Sequence, residues 1–279
     1  MKTNTKIIIY DDTCPLCAAY TNAFVQTGLL ERKGRQNFNS IQPELLALID
    51  IKKGVNEIPM IDYETGEVLY GIDALLEILS QKMPMIKRIG NTMPVKWFLY
   101  KFYKLISYNR RVIVANQQPA TGFDCTPEFN TRYRILFMSL FLVFNTLMLF
   151  PLHHSVLTIS LFNSTSILQL QAAHFTLVTF NIILAIQLGK KHGIEYLGQV
   201  NMLALLTILL TVPLIMVNKY FHFQSALIND IYLLSLTVFI IKEYVRRMRF
   251  ACIMQEHSRI VFINSISIAG LLLYLFFNQ

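Results

Sequence analysis

Apolar positions along this chain follow two rhythms. As far as Ser80 they form short runs closed by turn residues; from Tyr133 they form runs of about twenty, enough to cross a bilayer. In the first regime Lys6–Tyr10 (KIIIY) is rich in β-branched residues and predicts a buried strand, which stops at Asp11-Asp12-Thr13. Cys14-Pro15-Leu16-Cys17 follows, and Ala18–Leu30 then has helical spacing, with Tyr20, Ala23, Phe24 and Leu29 available for one face. Gln36–Ile41 predicts a second strand and Pro43–Ile49 a second helix. Ile58–Asp62 and Val68–Gly71 flank the turn at Glu64–Gly66 and predict a hairpin, and Asp73–Ser80 predicts a helix with an acidic start. This order describes an α/β sandwich around a mixed sheet.

Met93–Tyr108 interleaves Lys96, Lys101 and Lys104 with Trp97, Phe98, Phe102, Tyr103 and Leu105. Such a segment fits a helix lying on a membrane surface, and equally a last helix packed on the domain. Ala115–Pro127 contains Pro119, Gly122 and Pro127 and reads as a linker. The expected division is therefore a domain over 1–115, a linker over 116–132 and a membrane domain over 133–279. Five spans are expected, at 133–152, 167–188, 197–217, 223–241 and 260–277, of which the fourth is weakened by Asp230.

Lysine and arginine placement gives this bundle a direction, because cytoplasmic loops collect them. Arg110, Arg111 and Arg132 precede the first span, and His153–Ser166 after it has neither residue type. Lys190 and Lys191 follow the second span, Lys219 alone the third, and Lys242, Arg246, Arg247, Arg249 and Arg259 the fourth. The tail Asn278-Gln279 has none. The alternation predicts a multi-pass protein with a cytoplasmic N-terminal domain and its C-terminus on the outer side; no signal peptide is visible.

Composition sharpens this picture without changing it. Of 279 residues 54% are hydrophobic and 15% charged, with mean hydropathy +0.44. The formal charge of +8 gathers in clusters beside apolar runs, not in a continuous basic stripe, which argues against a nucleic-acid partner. Four cysteines, Cys14, Cys17, Cys125 and Cys252, do not make the dense framework of a secreted disulfide scaffold.

The close pair carries the candidate chemistry. A thiol reacts as thiolate, and a helix N-terminus favours the negative charge. Cys14 is thus the expected nucleophile and Cys17, one turn deeper, the resolving thiol, with Pro15 suited to the first turn. Half of a zinc site is the rival reading, but no second Cys-x-x-Cys or Cys/His pair follows at metal spacing, so neither metal nor cofactor is expected. Asp11 is placed either to exchange a proton with the resolving thiol or simply to form the turn. Arg110 and Arg111 either fold back over the thiols or mark the cytoplasmic face. Cys125 and Cys252 flank the bundle and are candidates for exchange with Cys14. His153, His154, His174, His222 and Asp230 fall toward the outer side, where a ligand role competes with packing.

Tyr10-Asp11-Asp12-Thr13-Cys14-Pro15-Leu16-Cys17 resembles the DCC family of thiol–disulfide oxidoreductase-like proteins, named for Asp-x-x-Cys-x-x-Cys. Asp12 and Thr13 depart from the family's usual Gly-Asp before the first cysteine. Gly71-Ile72-Asp73-Ala74-Leu75 is similar to its Gly-x-Asp-Ala-Leu stretch, and Asn109-Arg110 to its terminal Asn-Arg. The resemblance covers roughly residues 5–115 and implies a thioredoxin-like fold. It also implies that Pro59, before the third strand, is cis and keeps a backbone edge open beside the cysteines; an ordinary trans proline at a strand start is the alternative.

The resulting expectation is a membrane-anchored thiol–disulfide oxidoreductase acting at the cytoplasmic face. Its partners are the bilayer and an unidentified protein disulfide or electron donor. Two other readings remain at this point: an assembly factor whose cysteines are dispensable, and a redox-gated transporter or quinone-coupled protein.

Overall fold

The computed structural model describes residues 5–116, 124–221 and 225–277. Two compact units divide the chain, 1–134 and 135–279.

In the first unit β1 (Lys6–Tyr10) pairs in parallel with β2 (Arg35–Asn37) and antiparallel with β3 (Pro59–Asp62), which pairs antiparallel with β4 (Val68–Tyr70). The sheet order is β2-β1-β3-β4, a thioredoxin-like layout. The unbroken apolar run of β1 follows from its central position. Successive side chains of a strand point to opposite faces, and both faces here are covered. Ile7 and Ile9 join Phe38, Leu45, Ile49 and Ile61 on one face; Ile8 joins Leu30, Ile58, Met60, Ala74 and Ile78 on the other.

Five short helices and one long one clothe the sheet. They are α1 (Pro15–Gln26), α2 (Pro43–Leu46), α3 (Ile51–Gly54), α4 (Gly71–Ser80), α5 (Pro84–Gly90) and α6 (Met93–Ile113). Tyr20, Phe24 and Val25 of α1 and Tyr103 of α6 pack on the Ile8 face, whereas Leu45 of α2 belongs to the opposite face. The helix expected at Pro43–Ile49 ends early, as α2 at Leu46, and α3 follows it as a separate helix that Asp50 caps through Lys53 N–H at 3.2 Å.

The unit continues past residue 115. Cys125 is buried in the Ile7–Ile9 core, and Glu128 N–H donates to Asn56 Oδ1 at 3.0 Å. The described end of the expected linker is therefore packed onto the domain, while Pro119 and Gly122 lie outside the described residues.

The second unit is helical: most of α7 (Thr131–Ser155), then α8 (Ile167–Gln187), α9 (Lys190–Phe221), α10 (Ala226–Phe250), α11 (Ile253–Glu256) and α12 (Ser258–Phe277). Leu184, Tyr196, Leu203, Tyr244, Met248 and Val261 share its main core. Buried polar groups meet one another across helices: Tyr196 Oη donates to Asn181 Oδ1, and Asn264 Nδ2 to Tyr244 Oη at 3.0 Å. Among the described residues four helical stretches are long and apolar enough to cross a membrane: Thr131–Ile159, Ile167–Gln187, Lys190–Phe221 and Ser258–Phe277. Only 17% of the apolar stretch is buried in each of the first two, as expected of lipid-facing surfaces.

The fifth expected span, 223–241, is not among these four. Its helix, α10, has 25 residues, but Asp230, Lys242 and Glu243 interrupt its apolar character, and Phe223 lies outside the described residues.

Gly71, at the junction of β4 and α4, has φ +56°, and a Cβ there would meet Glu57 Oε2 at 2.9 Å and Tyr103 at 3.1 Å. Gly71→Ala therefore combines a left-handed backbone with a clash and is expected to cost about 1–3 kcal/mol. A denaturation midpoint for this domain equal to that of the wild-type chain would contradict the reading.

Candidate active site

The strand-to-helix junction sets the geometry. Cys14 takes an extended conformation as N-cap of α1, with Pro15 at the first helical position, where a missing N–H costs nothing. Cys14 Sγ accepts from Cys17 N–H at 3.4 Å, so the sulfur occupies the place a capping oxygen usually fills. Both cysteines are free and buried, 3% and 4% exposed.

Asp11 is buried behind the pair. Its Oδ1 accepts from Thr13 N–H at 3.0 Å and from Thr13 Oγ1 at 2.6 Å, and Cys14 N–H donates to its carbonyl at 3.3 Å. Asp11 thus forms the turn, and Thr13, a departure from the resembled motif, is what it bonds. Its Oδ2 lies 3.6 Å from Arg110 and 4.0 Å from Arg111.

Arg110 enters from α6. It is buried; its guanidinium donates to the carbonyls of Val55, at 3.0 Å, and of Cys125. Arg111 donates to Asn116 O at 3.1 Å, and Asn116 Nδ2 donates to Thr13 O at 3.1 Å, tying the end of α6 to the cysteine loop. Asn109 instead serves the helix end, donating to the carbonyls of Leu105 and Tyr133.

These surroundings push the two thiols apart. The Cys14 thiol is lowered to about 6: the hydrogen bond from the Cys17 thiol has the largest influence, the Cys17 N–H and Arg110 assist, and burial and Asp11 oppose. Cys17 is driven above the ordinary thiol range, because it donates to Cys14 and because it is buried. Near neutral pH the arrangement is a Cys14 thiolate receiving a hydrogen bond from a Cys17 thiol.

Pro59 departs from its expected geometry. All described peptide bonds are trans, Ile58–Pro59 included. Ile58 N–H donates to Tyr103 Oη at 2.8 Å and its carbonyl accepts from Gly71 N–H at 2.9 Å. Both backbone groups of Ile58 are thus engaged internally, whereas the resemblance implied an open edge. The β1/β3 register, carried two residues past the Ile8–Met60 pair, still sets Ile58 opposite Tyr10, next to Asp11.

Residues 8–115 match the family model of DCC1-like thiol-disulfide oxidoreductase. This region is a DCC1-like domain. No curated protein and no solved structure matches the chain. Within the DCC1-like domain the three resembled motifs have distinct places. The first supplies the thiols and Asp11, the last brings Arg110 to them, and Gly71-Ile72-Asp73-Ala74-Leu75 opens α4, with Asp73 paired to Lys96 at 2.8 Å.

Other sequence candidates lie elsewhere. Cys125 is buried in the core and its thiol is raised to about 12, by burial first and then by Asp11, so it is a poor exchange partner. Cys252 is exposed, in the second unit. His174 Nε2 lies 3.3 Å from Thr146 Oγ1, His153 Nε2 lies 2.8 Å from Thr165 O, and Asp230 accepts from Leu161 N–H at 2.9 Å. His154 packs on Phe150, and His222 lies outside the described residues. Among the described residues, the only side chains grouped closely enough to share a metal ion are His192, Glu256 and His257, not the cysteine pair.

The sequence readings left open whether Arg110 reaches the thiols, and they missed Tyr103 and Asn116. Tyr103 precedes Arg110 by seven residues, two helical turns, so helical spacing alone places both on the face of α6 that meets the sheet.

Alkylation of the reduced chain should show Cys14 reactivity rising with pH through about 6 and levelling above it, because the thiolate is the reacting form. An ordinary thiol turns on near about 8.5. Arg110→Gln removes a cation and should raise the midpoint by about one pH unit, with Arg110→Lys recovering part of it. An unmoved midpoint in Arg110→Gln would detach Arg110 from the thiols.

Proposed function

We propose that this chain is a membrane-anchored thiol–disulfide oxidoreductase. The observation that carries this reading is the asymmetric pair: Cys14 lowered to about 6 at a helix start, Cys17 raised behind it, inside a DCC1-like domain. Cys14 thiolate attacks one sulfur of a substrate disulfide. That S–S bond breaks, a mixed disulfide forms, and the other substrate sulfur leaves as thiolate. Cys17 then loses its proton and attacks Cys14 sulfur, closing an intramolecular disulfide and releasing the second substrate thiol. Two electrons pass to the substrate, and an external dithiol must restore the pair. Asp11, buried beside the pair, is the proposed acceptor of the Cys17 proton. Pro59 is proposed to shape the site wall as the first residue of β3.

Cytoplasmic placement is supported by the distribution of Lys and Arg, and a reducing compartment favours reductase chemistry. That distribution requires α10 as a fifth crossing; its 25 residues span about 37 Å, enough for a bilayer core. In intact cells an impermeant thiol reagent should label Asn163→Cys and reach native Cys252 only after lysis. Labelling of Cys252 but not of Asn163→Cys from outside would reverse the assignment, and labelling of both would remove α10 as a crossing.

Cys17→Ser retains a hydroxyl donor for Cys14 but cannot resolve. It should accumulate mixed disulfides through Cys14, released by dithiothreitol, while Cys14→Ser accumulates none. No adducts in Cys17→Ser, together with no dithiol–disulfide cycling in the wild-type chain, would remove the enzymatic reading.

A further inference from the structure

Helices α5 and α6 leave bare a surface that thiol chemistry does not use. Met85 and Ile89 on α5, and Met93, Trp97, Phe98 and Phe102 on α6, are each at least half exposed. The far end of α6 behaves differently: Leu105, Ser107, Asn109 and Val112 are buried. One helix thus packs its C-terminal half on the domain and presents bulky apolar groups from its N-terminal half. A cluster of this kind marks an interaction surface.

The charge around it has one sign. From Ile78 to Phe123 the chain contains eight Lys or Arg and no Asp or Glu. Lys87, Lys96 and Lys104 are held by Glu77, Asp73 and Glu57 from outside this stretch. Arg88 and Lys101 are exposed, with no acidic partner among the described residues. Tryptophan and phenylalanine interleaved with unpaired cations suit the boundary between headgroups and acyl chains, where aromatic rings sit and basic groups meet lipid phosphates. The same chain carries four helices long and apolar enough to cross a membrane, so a bilayer is covalently at hand and even weak attraction suffices.

We propose that the α5–α6 surface docks on an anionic phospholipid bilayer, with Trp97 and Phe98 entering the headgroup region and Arg88 and Lys101 facing phosphates. The proposal stands apart from the thiol reading and survives if that reading fails.

Trp97 is the only tryptophan of the chain, so its fluorescence reports this surface alone. The full chain is reconstituted in phosphatidylcholine vesicles with and without phosphatidylglycerol, with bromine-labelled acyl chains and aqueous acrylamide as opposing quenchers. In anionic vesicles emission should be blue-shifted, quenched by bromolipid and sheltered from acrylamide, and salt should reverse this. Arg88→Glu with Lys101→Glu should weaken docking at least about fivefold per position. Emission open to acrylamide and indifferent to bromolipid overturns the proposal. Shelter from both quenchers also overturns it and assigns the surface to a protein occupant. If the double variant fails to fold, judged by Cys14 alkylation, the wild-type comparison of anionic with neutral vesicles decides alone.

Discussion

A negative charge on a nearly buried sulfur is the constraint around which the first unit is arranged. Burial opposes such a charge, and three kinds of support offset it: the Cys17 thiol, the Cys17 N–H and the Arg110 guanidinium. Arg110 is itself buried, so it too needs partners, and finds them in Asp11 and the carbonyls of Val55 and Cys125. The site is therefore a small ionic assembly drawn from the end of β1, the start of α1, the end of α6 and the segment around residue 125. Removing a member leaves the others desolvated and short of partners.

The two faces of the sheet divide the supporting work. Ile8 and its neighbours seat α1 and α4, which fixes the helix that carries the thiols. Ile7 and Ile9 hold the opposite core, and the chain returns there at Cys125 to offer its carbonyl to Arg110. Gly71 matters for a related reason: its left-handed turn lets its N–H engage Ile58, whose own N–H is bound by Tyr103. The strand beside the cysteine loop is thereby locked from two sides.

Much of this was legible in the residues, because the deciding signals are local. KIIIY, a β-branched run closed by turn residues, indicated a buried strand, and a Pro-containing Cys-x-x-Cys between that turn and a helically spaced stretch indicated a helix start. Element order indicated an α/β sandwich around a mixed sheet. Long-range geometry was harder to read. Whether Arg110 met the thiols or marked a membrane boundary depended on the path of α6, since a cation suits either place. The trans bond at Pro59 and the packed segment at Cys125 were hidden similarly, because a proline or a Pro/Gly-rich stretch does not name its tertiary contacts. In the second unit, hydropathy marked four helices plainly. It left α10 ambiguous, where Asp230 near one end and Lys242 and Glu243 near the other shorten the apolar stretch of a helix that is long enough.

The dependence of Cys14 on Arg110 also sets an order of events during synthesis. The sulfurs leave the ribosome almost a hundred residues before the guanidinium that helps to ionise one of them. Until α6 has emerged and docked, that sulfur lacks one of its supports and is less acidic than in the finished domain. The acidity of Cys14 is in this sense a property of the closed domain and not of the Cys-x-x-Cys segment alone.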